Sequence, residues 1–447
     1  MTLKLLPRCS TVLILLTYMP VRGSRMRALL CLVVVLSALC IQAQESDIPS
    51  RLTLEDAIRL AVTRNPSLAA AKNEVQALEG DTVAASKRLN PAVSLQAEDF
   101  PIRANPGPFF STQEIILRFD YEIERGGRRQ LRTEVARQAL EAQRLAYQDR
   151  IRLMQLEVRR AFSRAILAKS NLEASRSILE QAERMNALNR VRFTQGDISA
   201  LELNRIEVEK LRFQDDVFQA DLMLRNAKSS LLALLNAPDL SRDVDLIGTL
   251  PISEQASEPG LPPRAPLNEL LRIALERRPD MASRLQEKKR TDTETLLQRA
   301  IRSPNITVGG GYKRNVIDNS LVFGVTIPLK VFNRNEGEIL RADAGRMRAA
   351  NLVAAVRKEI ELDVQQAYNA VEVNRQRVQY IRTQHMKKAE EASRVTLASY
   401  NLGGATLIDY LDAQRTYRDA LRIYNQALFD ERISLYELAN SIGLGVQ

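Results

Sequence analysis

Tryptophan is absent from the 447 residues, aromatic residues make up only 5% of them, and the single histidine is His385. Compact enzyme cores lean on aromatic side chains, and many acid–base and metal sites lean on histidine, so both are poorly provided for. The three cysteines, Cys9, Cys31 and Cys40, all fall at the N-terminal end. Beyond them the chain offers no thiol for a disulfide, a nucleophile or a metal. It also lacks a Gly-x-Ser-x-Gly elbow and a glycine-rich phosphate loop. No catalytic residue, no cofactor-binding residue and no metal site is predicted. His385, in a stretch rich in Gln, Arg and Lys, is a solvated surface residue on this reading.

A long apolar run is found only near the N-terminus. Arg25 and Arg27 precede the apolar stretch Ala28 to Cys40, and Ala43 supplies a small residue for cleavage. Residues 1–43 are predicted to be an export signal removed near Gln44, with Met26 an alternative start. The run is shorter than the ~20 residues a spanning helix needs. Lys4, Arg8, Arg22, Arg25 and Arg27 carry half of the formal charge of +10, and no acid precedes Glu45. Elsewhere basic and acidic residues interleave, which describes solvated helix faces and not a nucleic-acid surface.

What the chain does have is self-similarity. Leu54-Glu-Asp-Ala-Ile-Arg-Leu-Ala, leading to Asn65-Pro66, returns as Leu267-Asn-Glu-Leu-Leu-Arg-Ile-Ala, leading to Arg278-Pro279, an offset of 213. The same offset carries Asn90-Pro91 onto Ser303-Pro304, and Val93 and Leu95 onto Ile306 and Val308. Farther on, Phe193-Thr-Gln-Gly196 matches Tyr400-Asn-Leu-Gly403 at an offset of 207. Two repeats per chain follow: 44–235, with a β-hairpin at 91–124, and 267–447, with a β-hairpin at 304–330. The Pro-, Ser- and Gly-rich stretch 236–266 is the linker between them.

Within each repeat a helical pattern runs up to a proline, Pro91 or Pro304. Then Ile115, Leu117, Phe119, Tyr121 and Ile123 alternate with Ile116, Arg118, Asp120, Glu122 and Glu124, the period of a strand with one apolar and one polar face. The second repeat answers with Leu321, Phe323, Val325, Ile327 and Leu329. Such strands reach the ~10 residues of a tilted membrane strand. The turn-rich segments Pro101–Ser111 and Arg314–Ser320 are placed on the outer side. Proline-free helices are expected from about Arg128 to Phe193 and from about Glu336 to Tyr400, each ~100 Å long at ~1.5 Å per residue.

Four strands cannot close a barrel, and an open edge in lipid leaves backbone groups unpaired at several kcal/mol each. Several copies must therefore share one barrel, with the face of Arg118, Asp120 and Glu122 toward its water-filled lumen. A soluble hairpin capping a periplasmic coiled coil is the plainer alternative for the strands alone.

Leu54-Glu-Asp-Ala with Asn65-Pro66, Arg125-Gly-Gly-Arg-Arg, Phe193-x-x-Gly-Asp, Asn236-Ala-Pro, and Gly403 followed by Leu411-Asp-Ala-Gln occur in that order. In this the mature chain resembles the TolC-like outer-membrane efflux proteins. The resemblance implies a mainly α fold with a small β part: a long α-helical barrel in the periplasm plus a transmembrane β-barrel in outer-membrane lipid, shared by a homotrimer. It implies the exit duct of a tripartite system, docked through a periplasmic adaptor to an inner-membrane RND-type pump. Ile327-Pro-Leu-Lys-Val-Phe-Asn-Arg-Asn335-Glu-Gly resembles the CzcC-like cation-efflux branch. A type I protein-secretion channel is an alternative within the family, and a periplasmic coiled-coil adaptor or structural protein one outside it. Some family members are lipidated, but Leu39 stands before Cys40 where lipoprotein signals want a small residue.

Gly196 and Gly403 sit where long helices must reverse, and capping boxes follow at Ser199-x-x-Glu202 and Thr406-x-x-Asp409. Gly196, Asp197, Ser199, Gly403, Gly404 and Thr406 thus mark two helix-turn-helix tips, which the family presents to its adaptor. Simple N-capping accounts for Glu202 and Asp409, but not for Asp412, three residues after Asp409 on the same helix face. By resemblance, Asp409 and Asp412 correspond to the acidic constriction of the periplasmic gate, with Glu202 beside it, and Tyr400 to a residue whose hydroxyl holds the tip shut. Ala405 stands where some members carry a gate arginine, so the closing contacts are expected to differ.

Overall fold

The structure, a computed structural model, describes residues 48–100, 113–250, 265–315 and 317–444. The predicted export signal 1–43, the three cysteines, the segment Pro101–Ser111 and residues 251–264 of the expected linker lie outside the described residues. The chain divides into two units, Met1–Ser50 and Arg51–Gln447. Only residues 48–50 of the first are described, and all that follows concerns the second.

The first half runs β1 (Arg51–Leu52), α1 (Leu54–Arg64), α2 (Pro66–Ser86), β2 (Ala92–Glu98), β3 (Glu114–Ile123), α3 (Arg128–Gln195) and α4 (Ala200–Leu234). The second runs β4 (Asp245–Leu246), α5 (Leu267–Arg277), α6 (Pro279–Ala300), β5 (Ile306–Arg314), β6 (Asn319–Thr326) and α7 (Glu336–Tyr380). A π-helical turn (Ile381–Met386) then leads to α8 (Lys387–Asn401) and α9 (Leu407–Ser441). Thr53 caps α1 by accepting from the Asp56 N–H, and Asn65 caps α2 by accepting from Ser67, with Pro66 in the first turn where its missing N–H costs nothing. Helices α2 and α6 stop at Ser86 and Ala300, a few residues short of the prolines that mark their ends in the sequence.

Strands β2, β3, β5 and β6 form one antiparallel sheet in the order β2-β3-β5-β6. The register sets Leu95 against Leu117, Leu117 against Tyr312 and Tyr312 against Leu321, and one step along it sets Ser94 against Arg118, Gly311 and Val322. With side chains alternating, one face is Val93, Leu95, Leu117, Phe119, Val308, Tyr312, Leu321, Phe323 and Val325, all of them exposed. Leu95 is 71% and Phe323 81% exposed, on a face that water would not tolerate as a monomer's surface. Strand β6 ends at Thr326, so Ile327 and Leu329 lie past it, a correction to the sequence reading. Pro328 has no N–H for a ladder, and the chain instead turns tightly as the Val331 N–H meets the Leu329 carbonyl at 3.0 Å.

Helix α3 runs unbroken for 68 residues, because neither Pro nor Gly interrupts it. It opens and closes on left-handed glycines, Gly127 (φ 68°) and Gly196 (φ 84°). Asn335 (φ 69°) enters α7 the same way and is fixed there by its Nδ2 donating to the Gln298 carbonyl at 2.8 Å. Buried positions recur every seven residues: Ile206, Phe213, Ala220 and Ala227 on α4, Val364, Val371 and Val378 on α7, and Leu428, Leu435 and Ile442 on α9. Such a repeat coils neighbouring helices left-handedly about one another.

The second long helix is helical from Glu336 to Asn401, but it carries a π turn that the sequence reading did not foresee. Of the residues buried after the π turn, Ala389, Ser393 and Tyr400, the last two follow Val378 by 15 and 22 residues, one more than whole multiples of seven. An unrelieved α-helix would carry Tyr400 away from the seam. The π turn absorbs the extra residue, with Ile381 buried beside Val378, Ala427 and Leu428. Among the described residues no helix is long and apolar enough to cross a membrane.

Candidate functional site: the hairpin tips and the polar wall of the sheet

Each pair of long helices reverses in a short turn. At the first tip Gly196 (ψ 7°) lets the Asp197 N–H return to the Arg192 carbonyl at 2.9 Å, a left-handed ending that a Cβ would strain. The Ser199 hydroxyl accepts from the Glu202 N–H at 3.2 Å while the Glu202 carboxylate accepts from the Ser199 N–H at 3.0 Å. The second tip repeats the pattern. Gly403 is left-handed (φ 77°), the Gly404 N–H reaches the Ser399 carbonyl at 2.8 Å, and Asp409 accepts from the Thr406 N–H at 2.9 Å and from its hydroxyl at 2.6 Å. Those two bonds hold the exposed Asp409 carboxyl below the usual range.

The tips touch each other through side chains. Tyr400 is buried, and its hydroxyl donates to Asn189 Oδ1 at 2.7 Å, while Asn189 Nδ2 donates to the Met185 carbonyl. The Tyr400 and Tyr410 rings stack with centroids 5.7 Å apart. Arg192 lies over the Tyr400 ring at 5.5 Å and donates to the Asn401 carbonyl. Burial pushes both tyrosine hydroxyls above their usual pKa, so both stay protonated donors at any physiological pH. Asp412 is exposed one turn above Asp409, and both border a groove of about 500 Å³ between α4 and α9 that also takes in Arg205, Arg212 and Arg415.

Two ion pairs, absent from the sequence reading, join α4 to α9, the first of them in the wall of that groove. Glu209, with its side chain only 4% exposed, accepts from Arg415 at 2.8 and 2.6 Å and from Arg212 at 3.2 Å. Seven residues on, Asp216 accepts from Arg418 at 3.0 Å. The Arg415 hydrogen bond is the leading cause of a Glu209 carboxyl held below its ordinary range. A signal was present: Glu209 follows Ile206 by three residues, an interior position of a coiled seam where a lone acid would be costly, and Asp216 follows Phe213 likewise at the half-exposed edge of that seam.

On the polar face of the sheet Arg118 Nε donates to Asp120 Oδ1 at 2.7 Å, and Glu122 accepts from Asn305 Nδ2 at 2.7 Å. Lys313 pairs with Glu114 higher on the same wall. The Arg125-Gly-Gly-Arg-Arg motif is structural. Its Arg128 donates to the Ala300 and Ile301 carbonyls at the end of α6, and three residues beyond the motif Arg132 donates to those of Ala85 and Lys87 at the end of α2 while pairing with Glu124 at 2.6 Å. Both arginines meet the negative end of a helix dipole. Among the described residues no group of three or more His, Cys, Asp and Glu side chains converges as a metal site would.

A family model described as outer membrane efflux protein matches the chain twice, over residues 57–237 and 270–444. The chain belongs to that family. It is an outer-membrane efflux channel and not an enzyme. It is 27% identical over 372 residues to the cobalt-zinc-cadmium resistance protein CzcC of Cupriavidus metallidurans, covering 82% of this chain and 84% of that one. Its fold is similar to that of CusC (TM-score 0.74, 16% identity, 88% of this chain and 92% of that one). VceC of Vibrio cholerae has a TM-score of 0.71 at 17% identity, with 88% and 97% covered. MtrE of Neisseria gonorrhoeae has a TM-score of 0.72 at 17% identity, with 88% and 89% covered.

Proposed function

We infer that three copies of this chain pool their sheets into one twelve-stranded barrel and their helices into one long tube, the exit duct of a tripartite efflux system. The observation that carries this is the open sheet: β2 and β6 are both edges, and the apolar face between them is exposed. Unpaired edges in hydrocarbon cost several kcal/mol per backbone group, and pairing β6 of one copy with β2 of the next removes every edge. Known membrane barrels begin at 8 strands, so one copy is too few. The apolar face then meets outer-membrane lipid, and Arg118, Asp120 and Glu122 line the lumen.

The helical hairpins extend into the periplasm. Their tips, with Gly196, Asp197, Ser199, Gly403, Gly404 and Thr406 at the turns, meet a periplasmic adaptor that links the duct to an inner-membrane RND-type pump. Tyr400, tied to Asn189, holds the second hairpin against the first, and Glu202 and Asp409 fix the two reversals. Three copies of Asp409 and Asp412 ring the axis as a constriction, where like charges in a narrow pore focus the field and favour cations. Divalent metal cations are the cargo best suited to such a ring, and likeness to a cobalt-zinc-cadmium resistance protein supports that class.

Planar-bilayer recordings test the constriction. The Asp409→Asn/Asp412→Asn channel is expected to lose cation preference, with divalent block weakened about tenfold or more. Unchanged selectivity and block would remove these two residues from the pore.

A further inference from the structure

The polar face of the sheet carries an unusual vacancy of side chains around one ion pair. In the row of Arg118 the neighbours are Ser94, Gly311 and Val322, and in the row of Asp120 they are Ala92, Gly309 and Gly324. Three glycines in adjacent strands are otherwise a poor choice, since each costs strand stability. Here each has a steric reason. A Cβ on Gly309 would coincide with Asp120 Oδ1, one on Gly324 would stand 2.9 Å from an Arg118 guanidinium nitrogen, and one on Gly311 would meet the Leu117 carbonyl of the facing strand. The guanidinium and carboxylate therefore lie flat in a trough of missing side chains, only 30% and 24% exposed, and do not project from the wall.

The described polar face holds four acids, Glu98, Glu114, Asp120 and Glu122, against two bases, Arg118 and Lys313. Lys313 is answered by Glu114 and Arg118 by Asp120. An acidic wall suits a cation path only while both bases are answered. A released Arg118, repeated around the barrel, would be a ring of fixed positive charge in the bore.

We propose that this glycine-seated pair sets the charge selectivity and the bore of the β-barrel, with Asp120 holding Arg118 neutralised and flat so that cations pass. Arg118 and Asp120 are then specificity-determining residues separate from the acidic tip. The trough works by pose as well as by charge, because Gly309 and Gly324 keep both groups against the wall. Gly311 is different, since its Cβ would strike backbone, so Gly311→Ala is a folding lesion and no test of the pose.

This rests on the reading that the polar face lines a shared lumen, and the test separates the two. Channels carrying Asp120→Asn, Arg118→Gln, Gly309→Ala or Gly324→Ala are purified as assembled oligomers and recorded in planar bilayers with a KCl gradient. Asp120→Asn is expected to lower the cation-to-anion permeability ratio about threefold or more, and Arg118→Gln to raise it. Both glycine variants keep every charge and are expected to lower single-channel conductance, the exposed pair now narrowing the bore. An assembled Asp120→Asn channel with unchanged selectivity overturns the proposal. If that variant does not assemble, the glycine variants decide: unchanged conductance in both overturns it. The lumen is checked independently by Ser94→Cys and Leu95→Cys with a charged, membrane-impermeant methanethiosulfonate. Loss of current at Ser94→Cys alone supports the lumen, whereas no effect there rejects the lumen reading itself.

Discussion

Leu95→Arg is expected to abolish recovery of the channel from the outer membrane, whereas Gln96→Arg, the next residue along, is expected to leave it near normal. Both sit near the middle of β2, on opposite faces of the sheet. Leu95 shares its face with Leu117, Tyr312 and Leu321, the face that meets lipid in the proposed barrel. An arginine against hydrocarbon at mid-depth costs about 2–4 kcal/mol per copy, and three copies multiply that within one assembly. Gln96 shares its face with Lys313 and Ser320, where in the proposed barrel a charge would meet lumenal water. Outer-membrane yield and the detergent-resistant oligomer on gels read the contrast. Equal tolerance of the two substitutions would remove the lipid face from the account.

The second large effect is expected at the tip. Arg415→Ala withdraws the two short hydrogen bonds that hold the buried Glu209 and leaves it with Arg212 alone at 3.2 Å. Losing one partner of a fully buried pair costs about 3–5 kcal/mol, and since Arg415 itself is 41% exposed the expected loss here is smaller, about 2 kcal/mol per copy. That free energy holds α9 to α4, so the variant is expected to show longer and larger single-channel openings and antibiotic leak into cells.

Acid should imitate the substitution. The Glu209 carboxyl is held below its ordinary range, so the pair contributes fully above that range and is lost as pH falls through the lowered folded value. Wild-type openings should therefore rise only below the usual carboxylate pKa, and Glu209→Gln should be open already at neutral pH and indifferent to acid. A Glu209→Gln channel that stays closed at pH 7 would place the latch elsewhere, among the Asp216–Arg418, Tyr400–Asn189 and Arg192–Asn401 contacts.

Much of this architecture could be read from residue order, because it follows local rules. The alternation from Ile115 to Ile123 gave β3 and its two faces, and Ser199-x-x-Glu202 and Thr406-x-x-Asp409 gave both capping boxes as they stand. What escaped depends on which segments meet. Glu209 and Arg415 are 206 residues apart, and although the place of Glu209 after Ile206 marks it as an interior acid, nothing local names its partner until α9 is laid beside α4. Gly309 and Gly324 carry no local sign of their role, because the side chains they accommodate, Asp120 and Arg118, belong to β3. The π turn left a trace in the slip of one residue between Val378 and Tyr400, but a slip has meaning only once the seam it interrupts is known. Strand β6 was overextended because alternation persists through Ile327 and Leu329 although Pro328 cannot join a ladder.

Shared strands can be caught directly by cysteine pairs joining one copy's first sheet edge to the next copy's last. Val93→Cys is combined in turn with Leu321→Cys, Phe323→Cys or Val325→Cys, oxidised in outer membranes and run under denaturing, non-reducing conditions. A covalent ladder stopping at three copies for at least one pair is the outcome this account requires. Pairs that yield only monomer, in a channel that still conducts, would mean that neighbouring copies do not join β6 to β2.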